Sequence, residues 1–136
     1  MPSRTTLAAL AILAAFPLFA ADPGPVPYPE GYRGWRHVKS MVIEPGHALY
    51  EAFGGIHHLY ANDKALSGYA KGRFPDGAII VFDLLAAEKA GNAIAEGARK
   101  VVGVMVKDTK RWPVTGGWGF EGFKGDSKTE RAVGNN

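Results

Sequence analysis

Histidine is the residue type in this chain best suited to bind a metal ion or a haem iron. The four histidines are His37, His47, His57 and His58. Adjacent residues of a strand point to opposite faces, so at most one of His57 and His58 can face a pocket if residues 56–61 are extended. No His-x-His or His-Glu-x-x-His spacing occurs, and a zinc or copper site would therefore combine residues distant in sequence. A hydrogen-bonding role without a metal is the alternative for each histidine.

The composition excludes several classes of site. The 136 residues contain no cysteine, so no disulfide, thiolate metal site or thioether-linked cofactor can form within them. Lysine and arginine number 16 against 13 aspartates and glutamates, and the two signs are interspersed. No basic stripe with interleaved aromatic residues occurs, so nucleic acid is not an expected partner. Nucleophile elbows, phosphate-cradling loops and paired carboxylates are also missing from the sequence, and we assign no catalytic residue.

The first 20 residues have the pattern of a secretory signal peptide. Arg4 precedes an apolar run, Leu7–Ala15, and Ala20 is a small residue at the expected cleavage position. The run is shorter than the about 20 apolar residues of a membrane span, although an uncleaved N-terminal anchor is the alternative. We therefore expect a periplasmic protein with no membrane attachment after cleavage.

The rest of the chain has the length of one domain. Residues 21–29 are rich in proline and are expected to form an extended linker over the surface. Residues 30–127 form the predicted domain. Residues 128–136 are polar and without periodicity, and we expect them to be either disordered or truncated.

Apolar alternation and turn signals predict an α+β domain, mainly an antiparallel β-sheet with two or three short helices. The predicted strands are residues 37–43, 56–61, 78–85, 100–108 and 118–123. The predicted helices are residues 30–36, 47–53 and 64–71. Asn62 is the expected N-cap of the last helix. Residues 86–96 are compatible with either a short helix or a long hairpin loop.

The last predicted strand carries glycine at three positions, Gly117, Gly119 and Gly122. Glycine weakens a strand and often marks the close approach of a ligand or another backbone. Trp118 and Phe120 are expected on one face, opposite Gly119. A flat ligand, a helix or another backbone against the glycine face is one interpretation, and a bulge or an edge strand without a ligand is the other.

Three segments in this order resemble the cytochrome P-460 family. They are Phe74-Pro-Asp-Gly77 with the apolar strand that follows, Val104-Met-Val-Lys-Asp108, and Gly117-Trp-Gly-Phe120. The resemblance implies a mainly antiparallel β fold, often a homodimer, in the bacterial periplasm. It also implies a haem c bound through a Cys-x-x-Cys-His motif near the C-terminus. Classical members oxidise hydroxylamine or bind and convert nitric oxide, and the related cytochromes c′-β bind nitric oxide in an apolar pocket.

The resemblance further implies a pocket lined by His57, Phe82 and Trp118. In the hydroxylamine-oxidising members a lysine is cross-linked to the haem, and Phe82 stands at that position. Phenylalanine has no nitrogen for such a link, which is similar to the c′-β type. An arginine lies over the haem in the oxidising members, and His57 stands at its position. The family's axial histidine and two thioether cysteines have no counterpart in this sequence.

Three hypotheses about function follow. The chain is a product truncated before its haem motif, whose longer form binds nitric oxide or transfers electrons. Alternatively, it is a haem-free relative that uses the same cavity for a small ligand or for a metal such as copper, with His57 or His58 as a ligand. The third hypothesis is a dimeric interaction module. Without the axial ligand and the thioethers any haem would be weakly held.

Overall fold

A computed structural model describes residues 25–133, which form a five-stranded antiparallel sheet in which each strand lies beside the next one in the chain. The strands are β1 (Arg36–Ile43), β2 (Gly55–Ala61), β3 (Ile79–Ala90), β4 (Ala93–Lys107) and β5 (Trp118–Lys124). The predicted α+β fold, mainly an antiparallel sheet with short helices, is confirmed. The predicted signal peptide, residues 1–20, lies outside the described part of the chain. No helix within that part has the length and apolar character needed to cross a membrane.

Two of the three candidate helices are present, within the two or three predicted, and the first of them is shorter than predicted. They are α1 (Tyr50–Phe53) and α2 (Asp63–Lys71), with 3₁₀ turns at Tyr32–Gly34 and Pro113–Thr115. Asn62 caps α2 as expected, because its Oδ1 accepts a hydrogen bond from the N–H of Ala65 at 2.9 Å. The predicted helix at residues 30–36 is only the first 3₁₀ turn, since Gly31 has a left-handed φ of 69° and β1 begins at Arg36.

Residues 86–96 form neither a helix nor a long loop. They continue β3 and β4 as a ribbon joined by a two-residue turn at Gly91 and Asn92, whose φ angles are 56° and 60°. Two successive positive φ values are typical of the turns whose twist matches paired strands. The ribbon carries Glu96 back toward β2 and the N-terminal segment.

The two faces of the sheet are covered differently. The core face carries Tyr60, Val81, Val102, Val104 and Phe123, and Val26, Tyr32 and Trp112 pack against it. Val26 is only 1% exposed, so the prediction of a surface linker at residues 21–29 is wrong for this residue. An apolar sheet face must be covered, and the proline-rich segment supplies part of that cover.

The polar tail is ordered as far as it is described. Arg131 pairs with Phe123 in an isolated antiparallel bridge, and its guanidinium donates to the carbonyl of Val26 at 2.7 Å. It also contacts Oε2 of the buried Glu121 at 3.1 Å. Disorder, one of the two interpretations of residues 128–136, therefore does not apply to the residues around Arg131.

A buried carboxylate ties the ribbon to the N-terminal segment. Asp83 is fully buried on the core face, and Arg99 Nε donates to its Oδ1 at 2.7 Å. Arg33 Nη1 lies 3.4 Å from Oδ2. Burial, with the charge of Asp83, raises the pKa of Tyr32, which hydrogen-bonds the same carboxylate as a neutral phenol. Ion pairing of this kind is what allows a charge to be buried.

Candidate functional site

The sheet face opposite the core face is only partly covered. Helix α2 and the segment after it cover one end, where Ala61, Ala65, Ala78 and Ile80 form a small apolar cluster. The rest is an open groove of about 870 Å³. Large apolar side chains along it are substantially exposed, including Met41, Leu49, Phe53 and Phe120. A contiguous exposed apolar surface of this kind is typical of a binding site.

The strand register brings the groove floor together. His57 on β2 pairs with Leu84, and its neighbour Leu59 pairs with Phe82 on β3. Phe82 pairs with Gly103 on β4, so no side chain stands beside the phenyl ring there. The missing side chain gives the groove its depth next to Phe82.

His57 is a polar residue in the groove. Its ring centre lies 4.6 Å from that of Phe82, with the two planes tilted by 34°. The residue is 7% exposed, and its Nδ1 has no hydrogen-bond partner within residues 25–133. Burial, and then the nearby charges of His58 and Lys39, lower the pKa of His57. The lowered pKa favours the neutral imidazole at pH 7. Its Nδ1 is enclosed by neighbouring atoms, so a ligand in the groove would reach it only after the ring turns.

Aromatic side chains line both ends of the groove. At one end Phe53, from α1, meets Phe82 edge-on with ring centres 5.7 Å apart. At the other end Trp118 meets Phe74 at 5.4 Å. The structure thus places the three residues predicted to form a pocket, His57, Phe82 and Trp118, along one groove. Phe53 and Phe74 were missed, because they come from elements whose docking the sequence pattern does not encode.

His58 lies on the other side of the sheet from His57. Its Nε2 is 2.6 Å from Oε1 of Glu96, and its Nδ1 is 2.5 Å from Oγ of Ser40. The two adjacent histidines point to opposite faces of the sheet, as expected for neighbouring residues of a strand, and so cannot bind one metal ion together. No set of three or more His, Cys, Asp or Glu side chains in the described part of the chain is arranged to hold a metal ion.

Gly119 of β5 makes room for a side chain of the protein rather than for a ligand. Gly119 faces the core side, and a Cβ there would lie 2.5 Å from Cζ2 of Trp112. The ring that approaches this strand is thus a side chain of the protein itself. Trp118 and Phe120 point into the groove on the opposite face, as predicted.

Fold and groove together define a class: an α+β domain with one sheet face covered and the other open for an apolar ligand. The model of the cytochrome P-460 family matches residues 29–136, and the chain belongs to this haem-binding family. No curated protein matches the sequence significantly.

The residues present fit the body of a haem but not its covalent attachment. An apolar groove with aromatic ends and a buried, unpartnered imidazole nitrogen suits a flat apolar group with a coordinating centre. Thioether bonds need cysteine, and the 136 residues contain none. Within this chain any haem would therefore be held without covalent bonds, by His57 and the groove walls.

Proposed function

We propose that the protein is a periplasmic ligand-binding member of the cytochrome P-460 family that holds a flat, mainly apolar ligand of the haem type in the groove. The observation that carries this proposal is the buried Nδ1 of His57, a residue of the apolar groove, which lacks a partner among the described residues. A buried polar atom without a hydrogen bond costs about 1–3 kcal/mol. A ligand that satisfies the atom recovers that free energy on binding.

The size and lining of the groove support a ligand larger than a diatomic gas. Ligand pockets commonly span roughly 300–1,000 Å³, and the groove falls within this range at about 870 Å³. A planar ligand can stack on Phe82 while its edges contact Phe53 and Trp118. Aromatic contacts of this kind add to the free energy of burying apolar area.

Phe82 restricts the chemistry that such a complex could perform. The phenyl ring has no nitrogen and cannot form the lysine cross-link of the hydroxylamine-oxidising members. A bound haem would supply an iron that binds nitric oxide or transfers an electron. Phe82 and Phe53 keep the surroundings of the ligand apolar, which favours a neutral gas over a charged or strongly hydrated substrate. We therefore propose gas binding or electron transfer rather than hydroxylamine oxidation.

The test is a titration of the purified, tag-free protein with hemin, followed by the Soret band. We expect one saturable site. His57→Leu should weaken binding by about tenfold, because the lost contact is worth roughly 1–1.5 kcal/mol. Gly103→Leu should abolish binding by filling the floor beside Phe82. His47→Leu, in an exposed loop outside the groove, is the matched control and should bind hemin normally.

Two results would contradict the proposal. Hemin binding that is equally strong in the wild type and in Gly103→Leu would place the ligand elsewhere. A stable dimer that Phe53→Ser dissociates, combined with no hemin binding by either protein, would show that a second copy covers the groove. Circular dichroism of each variant checks that the fold is retained.

A further inference from the structure

A second cluster of potential ligand atoms lies on the core face at the β1 edge, outside the groove. Oγ of Ser40 is 2.8 Å from Nε2 of His37 and 2.5 Å from Nδ1 of His58. Nε2 of His58 is in turn 2.6 Å from Oε1 of Glu96. None of these four side chains lines the groove.

An irregularity in β1 creates this cluster. Residues three apart in a regular strand, such as His37 and Ser40, point to opposite faces. The pairing of β1 with β2 shifts between His37 and Lys39, so that His37 pairs with Tyr60 and Ser40 pairs with His58. Because of this shift β1 has one extra residue, and Ser40 points to the same face as His37. Such β-bulges often change the direction of side chains at functional sites.

We propose that His37 and His58 bind a divalent transition-metal ion of the zinc type at the position of the Ser40 hydroxyl. The two imidazole nitrogens already converge there, since each is within hydrogen-bond distance of Oγ. The ring centres are 5.8 Å apart. Two imidazoles on one tetrahedral zinc, with Zn–N bonds of about 2.0–2.1 Å, have ring centres roughly 5 Å apart. Small side-chain rotations would therefore close the site.

Glu96 favours the tautomer of His58 that a metal requires. Its carboxylate lies 2.6 Å from Nε2 of His58 without hydrogen-bond geometry, and its negative charge favours a proton on Nε2, which leaves the lone pair of Nδ1 facing Ser40. Metal-binding histidines usually donate their other N–H to such a carboxylate. The positive charge of Arg33 near the site is offset by the carboxylate of Glu96, which lies 3.0 Å from the Arg33 guanidinium.

The coordination is that of an open site. Two protein nitrogens are supplied, and water completes the shell once the Ser40 hydroxyl has turned away, because the described residues offer no third His, Cys, Asp or Glu in position. His37 is solvent-exposed, so a metal ion can reach the site without opening the fold. Binding should be weaker than at a four-ligand structural zinc site.

The experiment is calorimetric titration of the tag-free protein with ZnCl₂. We expect one zinc per chain, with His37→Ala and His58→Ala each weakening binding at least tenfold. Glu96→Gln should weaken it by about 10-fold or more, whereas Ser40→Ala should retain it. His47→Ala and the groove variant His57→Leu are the controls and should bind zinc like the wild type. Imidazole ¹⁵N shifts should identify Nε2 of His37 and Nδ1 of His58 as the coordinating atoms.

The proposal would be overturned by wild-type protein that binds no zinc, or by zinc binding that is unchanged in His37→Ala. His37 is exposed, so this variant should fold even if His58→Ala does not. Shifts at the opposite ring nitrogens would also contradict it. Because His57→Leu impairs only the groove, a failure of the hemin proposal and a failure of the zinc proposal are separable.

Discussion

The imidazole of His57 lies against the phenyl ring of Phe82, with ring centres 4.6 Å apart and planes tilted by 34°. The two residues come from neighbouring strands, β2 and β3. This contact buries the imidazole and so connects the geometry of the groove floor with the proton affinity of His57. The resulting pH dependence of the protein's stability can be measured without any ligand.

The stability of the protein should fall as the pH drops below about 6.5, partly because of His57. Burial lowers the pKa of this imidazole in the folded state, so the unfolded chain binds a proton first. The resulting loss of stability begins at the unfolded-state pKa and ends below the folded-state pKa. Urea unfolding between pH 5 and 8 should therefore show a flatter pH dependence for His57→Leu than for the wild type. A His57→Leu curve parallel to the wild-type curve would refute this, and the exposed-loop variant His47→Leu serves as the control.

Gly119→Ala should destabilise the fold by about 1–3 kcal/mol, the usual cost of overpacking. The new methyl group would collide with the indole of Trp112, which is itself buried. Gly103→Ala is the matched control in the same sheet, because its Cβ would lie 3.4 Å from Cβ of Phe82, an ordinary contact. Thermal unfolding of both variants tests the difference, and equal melting temperatures would mean that Trp112 does not pack on β5.

Arg99→Met should lower the free energy of unfolding by about 3 kcal/mol, because it removes the main partner of the buried Asp83. The double variant Arg99→Met with Asp83→Leu should recover part of the loss, since no unpaired charge then remains buried. Lys124→Met removes a pair with Glu130 whose side chains are both more than half exposed, and it should change stability by less than about 1 kcal/mol. Chemical denaturation measures all three, and additive losses in the double variant would contradict the argument.

Val26→Ala should cost about 2 kcal/mol, in the range for truncating a buried aliphatic side chain. Val26, in the proline-rich segment, is 1% exposed, whereas Val114 is 97% exposed. Val114→Ala is therefore the control and should change stability by no more than about 0.5 kcal/mol. If the two variants unfold at the same urea concentration, the segment is a linker after all.

The sequence predicted the strands well because their periodicity is local. Alternation places His57 and His58 on opposite faces, and the cap at Asn62 was also predicted from neighbouring residues. The length of the β3–β4 ribbon was missed, since the small residues around Gly91 have no strong apolar period. His37 and Ser40 were not grouped, because only the irregularity in β1 turns residues three apart to one face.

Local chemistry determined what the chain contains: five strands, no cysteine, and a phenylalanine at position 82. Tertiary packing decided which face is closed. The core face is covered by segments distant in sequence, from Val26 to Arg131, while α2 is too short to cover the other face. The physical reason is that burial of a sheet face depends on where the irregular chain segments pack. The free energy of that packing comes from contacts between residues distant in sequence, which a local sequence pattern does not predict.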